Sequence, residues 1–478
     1  MRLGGRTAFT VGVAALTAAL AAGSATGPMT GTATGPMIGT AAPQATVVIH
    51  PGVQHVGHSS SQPPTTADCE AAFGVACYEP NQIQRAYNLP ALYHKAVTGK
   101  GATIVIVDSF GSPTITNDLA TFDQQFGVPA PPSFKIIRPA GNIPRYNSSN
   151  SEMVSWAGET SLDVEYAHAV APGASILLVE TPVAETEGII GFPQIVKAEE
   201  YVINHHLGDV ISQSFSATEN PFPSKASLDA LRGAYTDAYQ NHITVLAASG
   251  DDGATDVGQD GQTFYTFPVT SWPASDPLVT GVGGTQLHLG ANGSRLSPDT
   301  VWNDTYNPSA QEFIVGDSGP SPLAAGGGKS KFFPRPAYQN PVRNVVGQHR
   351  GVPDISMSAA CNGAVDVYQS FGGQPAGWYP TCGTSEATPL FAGIVALADQ
   401  VAHHPLGLIN PALYLMAAQH EHGLVDVTSG NNTVSFIQGG REHTVHGFSA
   451  GPGYDLASGL GTVNAESFVP ELASLAGR

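Results

Sequence analysis

Four strand-like runs that alternate with helical segments are the feature that most limits how this chain can fold. The runs occupy residues 101–110, 174–180, 209–216 and 243–253, and the helical patterns between them occupy residues 161–174, 195–206 and 228–242. Parallel strands joined by helices require crossovers of one hand, so the alternation predicts an α/β fold with a parallel central sheet and helices on both faces. In such sheets functional groups gather at the carboxyl ends of the strands, where Asp108, Ser214 and Asp251 lie.

The charge balance restricts the class of partner. The 478 residues include 38 acidic and 19 basic side chains, which gives a net charge of -19 at pH 7. Such a charge disfavours nucleic acid and anionic membranes as partners. It would suit an acidic environment, because protonation of carboxylates there lowers the self-repulsion of the chain. An ordinary acidic extracellular protein would have the same composition, so both interpretations stay open.

The N-terminal residues have the order of a secretory signal peptide. Arg2 and Arg6 precede an apolar run at residues 8–22, and three small residues follow it. A membrane anchor is the alternative, but the run is short and rich in alanine for a membrane span. We predict a signal peptide at residues 1–25, a low-complexity linker or short pro-segment at 26–76, and one globular domain at 77–478.

Four cysteines agree with export, since disulfide bonds persist outside the cytosol. Cys69 and Cys77 could close a small loop, and Cys361 and Cys382 bracket the segment before a serine motif. We favour the pairs 69–77 and 361–382, although four cysteines allow three pairings. A zinc site is the competing interpretation, but the sequence contains no CxxC pair and no Cys/His pair with ligand spacing.

The segment GTSEATPLFAGIVALADQ, residues 383–400, carries a candidate nucleophile. An apolar helix is predicted to begin around Pro389, so Ser385 lies near a helix N-terminus, where peptide dipoles stabilise developing negative charge. The plain alternative is that Thr384 or Ser385 only caps the helix. The GTSxxxP pattern, followed by a long Ala/Gly-rich helix, resembles the nucleophile motif of the subtilases and of their relatives, the sedolisins.

A pair of acidic residues separates these two families. The subtilase base motif His-Gly-Thr does not occur in this sequence, and the helix between the first two strands contains GETSLDVE, residues 158–165. This resembles the sedolisin motif GExxLDxE, in which the glutamate replaces the histidine and the aspartate supports it. Glu159 and Asp163 are four residues apart, so their carboxyl groups share one helix face and should share a proton. Glu159 could then act as base and later as acid at low pH; the alternative is a solvated acidic helix face.

The motif ASGDDG, residues 248–253, follows the fourth strand. It resembles the SSGDxG segment of the sedolisins, which implies that Asp251 occupies the position of the oxyanion hole. A protonated carboxyl group can donate a hydrogen bond to an oxyanion, whereas a carboxylate would repel it. The alternative is that both aspartates shape a turn before Gly253, and this is the role that we expect of Asp252.

A calcium site is expected near the C-terminus. Asp426-Val427-Thr428 and the glycine-rich segment AGPGYDLASGLG, residues 450–461, offer hard oxygen ligands of the kind that calcium prefers. Resemblance to the sedolisin site implies one structural Ca2+ with five ligands: Asp426, the Val427 carbonyl, the carbonyls of Gly451 and Gly453, and Asp455. As an isolated pattern, this would be a loop with two acids.

The resemblance extends over residues 78–478, because the segments 267–287, 301–303, 326–339 and 350–359 match sedolisin segments in the same order. It implies a subtilisin-like three-layer fold and a secreted, acid-active, calcium-containing serine-carboxyl endopeptidase. Such a protein would act as a monomer on protein or peptide substrates. Sedolisins usually carry a long folded prodomain, where this chain has only residues 26–76. They also commonly have Ser-Trp-Gly after the third strand, where this chain has Ser214-Phe215-Ser216.

Three alternatives remain at this stage. Asp108 stands where the subtilase aspartate or an auxiliary sedolisin acid would stand, which implies a partner in the proton network, and capping of the strand end explains it equally well. A subtilase that takes its base from another histidine, such as His168, is a rival enzyme. A catalytically inactive secreted binding protein on the same fold is the rival from another functional class.

Overall fold

The structure is a computed structural model that describes residues 54–55, 60–184, 190–314 and 320–476. The predicted signal peptide and most of the predicted linker lie outside these residues. The described residues belong to one compact unit, which covers residues 46–478. Among them, no helix is both long and apolar enough to cross a membrane.

The strands of the described residues are, in chain order, β1 (Gln54–His55), β2 (Cys77–Tyr78), β3 (Thr103–Ser109), β4 (Phe134–Ile137), β5 (Ser175–Thr181), β6 (Val210–Gln213), β7 (Ala217–Thr218), β8 (Thr244–Ala248), β9 (Ser271–Trp272), β10 (Thr280–Gln286), β11 (Thr300–Val301), β12 (Gly328–Pro334), β13 (His349–Val352), β14 (Ile355–Ser358), β15 (Ala364–Gln369), β16 (Gly377–Cys382), β17 (Leu424–Val425), β18 (Val434–Gln438), β19 (Arg441–Val445) and β20 (Thr462–Val463).

The helices are α1 (Thr66–Phe73), α2 (Pro80–Ala86), α3 (Leu89–Tyr93), α4 (Ile115–Phe126), α5 (Ser151–Val170), α6 (Phe192–Asn204), α7 (Lys225–Asp229), α8 (Gly233–Gln240), α9 (Pro308–Ile314), α10 (Arg343–Val346), α11 (Thr384–Ala402), α12 (Asn410–Gln419) and α13 (Ala465–Leu475), with a 3-10 turn at Ala337–Val342.

A large, mostly parallel sheet lies at the centre of the fold. Its strands follow the order β11-β10-β8-β6-β3-β5-β4, and β14 also pairs with β10. Only β11 runs antiparallel to its neighbour; the other pairings are parallel. The predicted parallel sheet is therefore confirmed. The carboxyl ends of β3, β6 and β8 meet at one edge, and Asp108, Ser214 and Asp251 lie there, as expected.

Alternating side chains of the sheet fill two separate cores. In β3, Ile104 and Ile106 face the core that contains Leu162 of α5 and Leu390 of α11. The intervening residues of β3 face the second core, which α6 and α8 cover. Since a strand directs successive side chains to opposite faces, two apolar faces require a helical layer on each side. The three-layer architecture with helices on both faces is thus confirmed.

Helices α5 and α11 approach each other closely in the first core. Residues 384–398 of α11 are all buried, and the helix lies against α5. Gly393 makes this contact, because a Cβ atom there would lie 2.6 Å from the Cβ of Val170 and 3.3 Å from the carbonyl oxygen of Ala167. A glycine is needed where two helix backbones come this near.

Disulfide bonds join Cys69 to Cys77 and Cys361 to Cys382, which confirms the favoured pairing. The first bond ties α1 to β2, and α1 itself begins with a capping box formed by Thr65 and Asp68. Helical and cross-linked structure therefore begins N-terminal to residue 77, where we had placed the start of the domain. Composition alone gave no indication of the cap that orders this short helix.

Several helices differ from their predicted bounds. The helix predicted at 228–242 is divided into α7 and α8. The helix predicted to begin around Pro389 begins at Thr384. Pro389 lies inside this helix and lacks the N–H that would bond the carbonyl of Ser385, so that carbonyl has no intrahelical partner. Ser385 consequently lies inside the first turn of α11.

Candidate active site

Helix α5 carries the two predicted acids into the interior. The side chain of Asn150 caps the helix by accepting a 3.0 Å hydrogen bond from the backbone N–H of Glu152. The helix begins at Ser151, ten residues before the pattern that we used to predict it, so Glu159 and Asp163 lie in its middle turns. Both side chains are completely buried. The alternative of a solvated acidic face is wrong.

Burial perturbs these acids strongly. It is the main cause that raises the pKa of Glu159 well above its ordinary value, and the neighbouring Asp163 and Asp108 raise it further. The pKa of Asp163 is also raised well above its ordinary value, first by burial and then by Asp108. Neither carboxylate oxygen of Glu159 makes a hydrogen bond of normal geometry. Ser385 is nevertheless near enough to oppose the rise in the pKa of Glu159 through a hydrogen-bonding interaction.

Asp108 belongs to the same buried group. Burial raises its pKa to about 7, and an interaction with Thr160 of α5 opposes the rise. Its two carboxylate oxygens accept no backbone hydrogen bond, so the alternative of a strand-end cap is not supported. Three carboxyl groups thus lie together in a region without bulk water. Sharing a proton among them costs less free energy there than ionising all three.

Ser214 links the acids to the nucleophile helix. Its hydroxyl donates to Asp163 Oδ1 at 2.8 Å and lies 3.3 Å from the Ser385 carbonyl oxygen, the acceptor that Pro389 leaves free. In return, the Ser385 hydroxyl lies 3.5 Å from the Ser214 carbonyl oxygen. Ser214 was expected at the carboxyl end of a strand, together with Asp108 and Asp251, but was given no catalytic role. Its position at the end of a parallel strand was the available signal.

Asp251 contacts Thr384, the residue before Ser385. The backbone N–H and the hydroxyl of Thr384 donate to Asp251 Oδ1 at 2.7 and 2.6 Å, while Oδ2 is buried without a partner. Burial raises the pKa of Asp251 to about 7 against these two hydrogen bonds. The free oxygen can carry a proton and donate a hydrogen bond to an oxyanion formed next to Ser385. Thr384 was not predicted as part of this site.

Two further acids near the site were also missed. Glu386 follows the nucleophile directly, is completely buried, and has no hydrogen-bond partner of normal geometry for either carboxylate oxygen. Burial raises its pKa well above the ordinary value. Asp252, expected only to shape a turn, interacts with Asp256, and burial followed by that neighbour raises the pKa of Asp252 strongly. No sequence pattern that we used distinguishes such buried acids from exposed ones.

His168 is engaged elsewhere. Its ring Nε2 lies 2.9 Å from the Pro129 carbonyl oxygen and 3.3 Å from Asp123 Oδ1. These partners belong to α4 and the residues that follow it, away from Ser385. The rival interpretation, in which His168 serves as the base, therefore has no support from the structure.

The predicted calcium ligands come together at one loop. The backbone N–H of Gly453 donates to Asp426 Oδ2 at 2.8 Å, and that of Gly451 donates to Asp455 Oδ2 at 3.1 Å. The Ser458 hydroxyl lies between Asp455 and the Val427 carbonyl oxygen. Among the described residues, no group of three or more His, Cys, Asp or Glu side chains could hold a metal ion, and this loop supplies only two carboxylates. Carboxylate and carbonyl oxygens around a glycine loop suit calcium.

Comparison with known proteins agrees with this geometry. The family model described as "Subtilase family" matches residues 145–439, more than half of the chain. Kumamolisin from Bacillus sp. (strain MN-32) is 32% identical over 392 residues, which are 80% of this chain and 62% of that protein. Sedolisin from Pseudomonas sp. (strain 101) is 28% identical over 78% of this chain and 59% of its own length. The chain thus spans less than two thirds of the curated relatives that it matches.

Relatives extend beyond bacteria, and a solved structure supports the fold. Human tripeptidyl-peptidase 1 is 28% identical over 371 residues, 74% of this chain and 57% of that protein. Pseudomonas sedolisin, a serine-carboxyl proteinase solved in complex with two molecules of pseudo-iodotyrostatin, superposes with a TM-score of 0.67 at 25% identity, covering 84% of this chain and 99% of that one. The predicted subtilisin-like fold is confirmed. The chain belongs to the subtilase family and is a sedolisin-type member of it.

Proposed function

We propose that this protein is a secreted, acid-active serine-carboxyl endopeptidase that cleaves peptide bonds through an acyl-enzyme on Ser385. The observation that carries the proposal is the burial of Glu159, Asp163 and Asp251 around this serine, with the pKa of each raised by burial. A cluster of perturbed acids beside a nucleophile at a helix N-terminus is suited to acyl transfer in acid.

The chemistry would proceed in two halves. Ser385 Oγ attacks the peptide carbonyl carbon while Glu159 takes the hydroxyl proton. Asp163 shares a proton with Glu159 and fixes the orientation of the pair. Asp251, protonated at Oδ2, donates to the oxyanion of the tetrahedral intermediate. The C–N bond then breaks as Glu159 returns its proton to the leaving amine. Water, activated by the same carboxyl pair, hydrolyses the ester and frees Ser385.

Acid dependence follows from the same groups. Because burial raises the pKa of Asp251 to about 7, this group is protonated below that pH and becomes a carboxylate above it. A carboxylate at this position would repel the oxyanion. We therefore expect activity in acid that is lost as the pH rises through about 7.

We also propose one structural Ca2+, held by Asp426, the carbonyls of Val427, Gly451 and Gly453, and Asp455. The hydrogen bonds from the backbone N–H groups of Gly451 and Gly453 to Asp455 and Asp426 support it, since they hold both carboxylates against the glycine loop. When bound, the ion would neutralise the two acids and fix the loop. Removal of the ion should therefore affect stability more than chemistry.

Secretion and the remaining partners are proposed on other grounds. The signal-like N-terminus and the two disulfide bonds support export. The net charge of -19 supports a protein or peptide substrate rather than nucleic acid. We expect a secreted monomer that has no membrane contact after removal of its signal.

The test compares the wild-type protein with S385A on denatured casein from pH 3 to pH 8, with the products identified by mass spectrometry. The wild type should release peptides from internal bonds below pH 6, and S385A should release none while retaining its circular dichroism spectrum. S474A is the matched control, because Ser474 is an exposed helical serine of α13.

Two results would contradict the proposal. Retention of activity in S385A would refute the assignment of Ser385 as the nucleophile. An alkaline pH optimum would indicate a subtilase that uses histidine. A wild-type protein that cleaves nothing but binds denatured casein would favour the inactive binding protein.

A further inference from the structure

A cavity of about 460 Å3 opens at the carboxyl edge of the sheet, on the side of β3 away from Asp251. Residues from the ends of β3, β4 and β5 and from the first turn of α5 line it. The residues that matter here are Phe110, Ile115, Ile136, Arg138, Met153 and Glu180. Its walls are polar and apolar in about equal measure, and their charged residues are Arg138 and Glu180.

The cavity adjoins the catalytic acids. Phe110 is two residues after Asp108 in the chain, and Glu180 is the partner of Asp108 in the pairing of β3 with β5. Two residues of strand span about 7 Å. Met153 lies on the same helix as Glu159, six residues earlier, or about 9 Å along the axis. A peptide whose scissile bond lies at Ser385 can therefore reach this cavity with a nearby side chain.

Arg138 supplies a cation that is only partly used. Its Nε donates to Glu180 Oε2 at 2.6 Å, and the side chain of Glu180 is 3% exposed while that of Arg138 is 55% exposed. Among the described residues, the two terminal nitrogens of Arg138 form no hydrogen bond with the protein. The buried carboxylate thus holds the guanidinium in place and leaves its outer donors free, which is the arrangement that binds a second carboxylate.

Backbone geometry makes room for this pair. Gly111 has φ of 72°, and a Cβ atom at this position would collide with the Glu180 carboxyl group.

The charge of the cavity depends on pH. Burial raises the pKa of Glu180, and Arg138 opposes the rise. In acid, uptake of a proton by Glu180 would leave the positive charge of Arg138 uncompensated in the cavity. Tyr146, the other titratable residue of the lining, is held by a hydrogen bond to the Gly372 carbonyl oxygen.

We propose that this cavity is a substrate subsite that selects an acidic side chain, glutamate above all, near the scissile bond. Arg138 binds the substrate carboxylate through its terminal nitrogens, and Phe110, Ile136 and Met153 contact the methylene groups. The inference rests on the proposed peptidase function and adds its specificity. The guanidinium also lowers the pKa of the bound carboxyl group, which keeps the substrate charge at acid pH.

The test uses quenched fluorescent peptides at pH 5 that differ at one position, with Glu, Gln or Lys placed in turn at each of four residues before and three after the scissile bond. At one position, the wild type should prefer Glu over Gln by roughly tenfold in kcat/KM, mainly through KM. R138Q should abolish the preference, and R138E should reverse it in favour of Lys.

Controls separate specificity from folding. R145Q removes an exposed arginine of the same loop that does not line the cavity, and it should keep the preference for Glu. Because R138Q leaves Glu180 buried and unpaired, the double variant R138Q/E180Q serves as a second test in which no charge is stranded. Whatever its overall rate, it should cleave the Glu and Gln peptides with equal kcat/KM.

The outcomes distinguish this inference from the proposed function. Cleavage without a preference for Glu at any position, or a preference that persists in R138Q/E180Q, would overturn the subsite and leave the peptidase intact. Failure of the wild type to cleave any peptide would refute the peptidase. Calorimetric titration of S385A with the Glu and Gln peptides then decides the subsite without turnover: tighter binding of the Glu peptide supports it, and equal binding refutes it.

Discussion

Replacement of Asp251 by asparagine isolates the energetic effect of ionising one buried acid. Burial raises the pKa of Asp251 from 3.8 to about 7, and this difference corresponds to ~4 kcal/mol. The folded chain binds this proton more tightly than the unfolded chain does. The stability that the proton contributes is therefore complete below pH ~4 and is lost as the pH rises through about 7. Between pH 4 and pH 8, the parent should lose up to ~4 kcal/mol more than D251N.

The measurement is urea unfolding followed by tryptophan fluorescence at pH 4, 6 and 8, with S385A as the parent to prevent self-digestion. The introduced amide retains an oxygen that can accept both hydrogen bonds from Thr384, so D251N should fold. D229N, which removes an exposed carboxylate paired with Lys225, should follow the parent at every pH. If D251N and the parent lose equal stability with rising pH, the assignment of a buried, protonated acid at this position is refuted.

Three other predictions concern neighbouring features. S214A removes the donor of the 2.8 Å hydrogen bond to Asp163, so kcat at pH 4 should fall roughly tenfold with little change in KM; unchanged steady-state kinetics would contradict this. E386Q removes a buried acid whose pKa is raised by burial, so in thermal unfolding this variant should be more stable than the parent at pH 8 and equally stable at pH 4. Greater stability of the variant at pH 4 alone would contradict the direction of the pKa shift. EGTA should lower the Tm by several degrees in scanning calorimetry, and D426N should melt at the same temperature with and without EGTA; a chelator effect that persists in D426N would place calcium elsewhere.

The layered fold could be predicted from the chain because the relevant signals are local. Runs of β-branched residues alternate with helical spacing, and each run needs only its own residues to be recognised. The bounds were less accurate. Helix α5 begins at Ser151, well before the pattern that revealed it, because its start depends on capping by Asn150. Helix α11 begins before Pro389, and the carbonyl group that the proline leaves free lies 3.3 Å from the hydroxyl of Ser214, which is distant in sequence.

The candidate site could be predicted only where motifs name the residues. Ser385, Glu159, Asp163 and Asp251 were identified in this way, and the structure brings them together. The contact of Ser214 with Asp163 joins residues 51 apart in the chain and that of Thr384 with Asp251 joins residues 133 apart, and one sequence cannot reveal them. The proposed subsite for an acidic substrate side chain could not be predicted for the same reason, since Arg138 and Glu180 meet only when β4 and β5 pair.

The packing of α11 against α5 at Gly393 controls how Ser385 is positioned relative to the acids of the active site. Ser385 lies eight residues from the crossing on one helix and Asp163 lies seven residues from Val170 on the other, distances of roughly 10–12 Å. A change of about 5° in the crossing angle would displace the nucleophile by ~1 Å relative to the acids, an error that can cost ~100-fold in rate. Side chains around the crossing can therefore change the rate of the enzyme without touching its substrate.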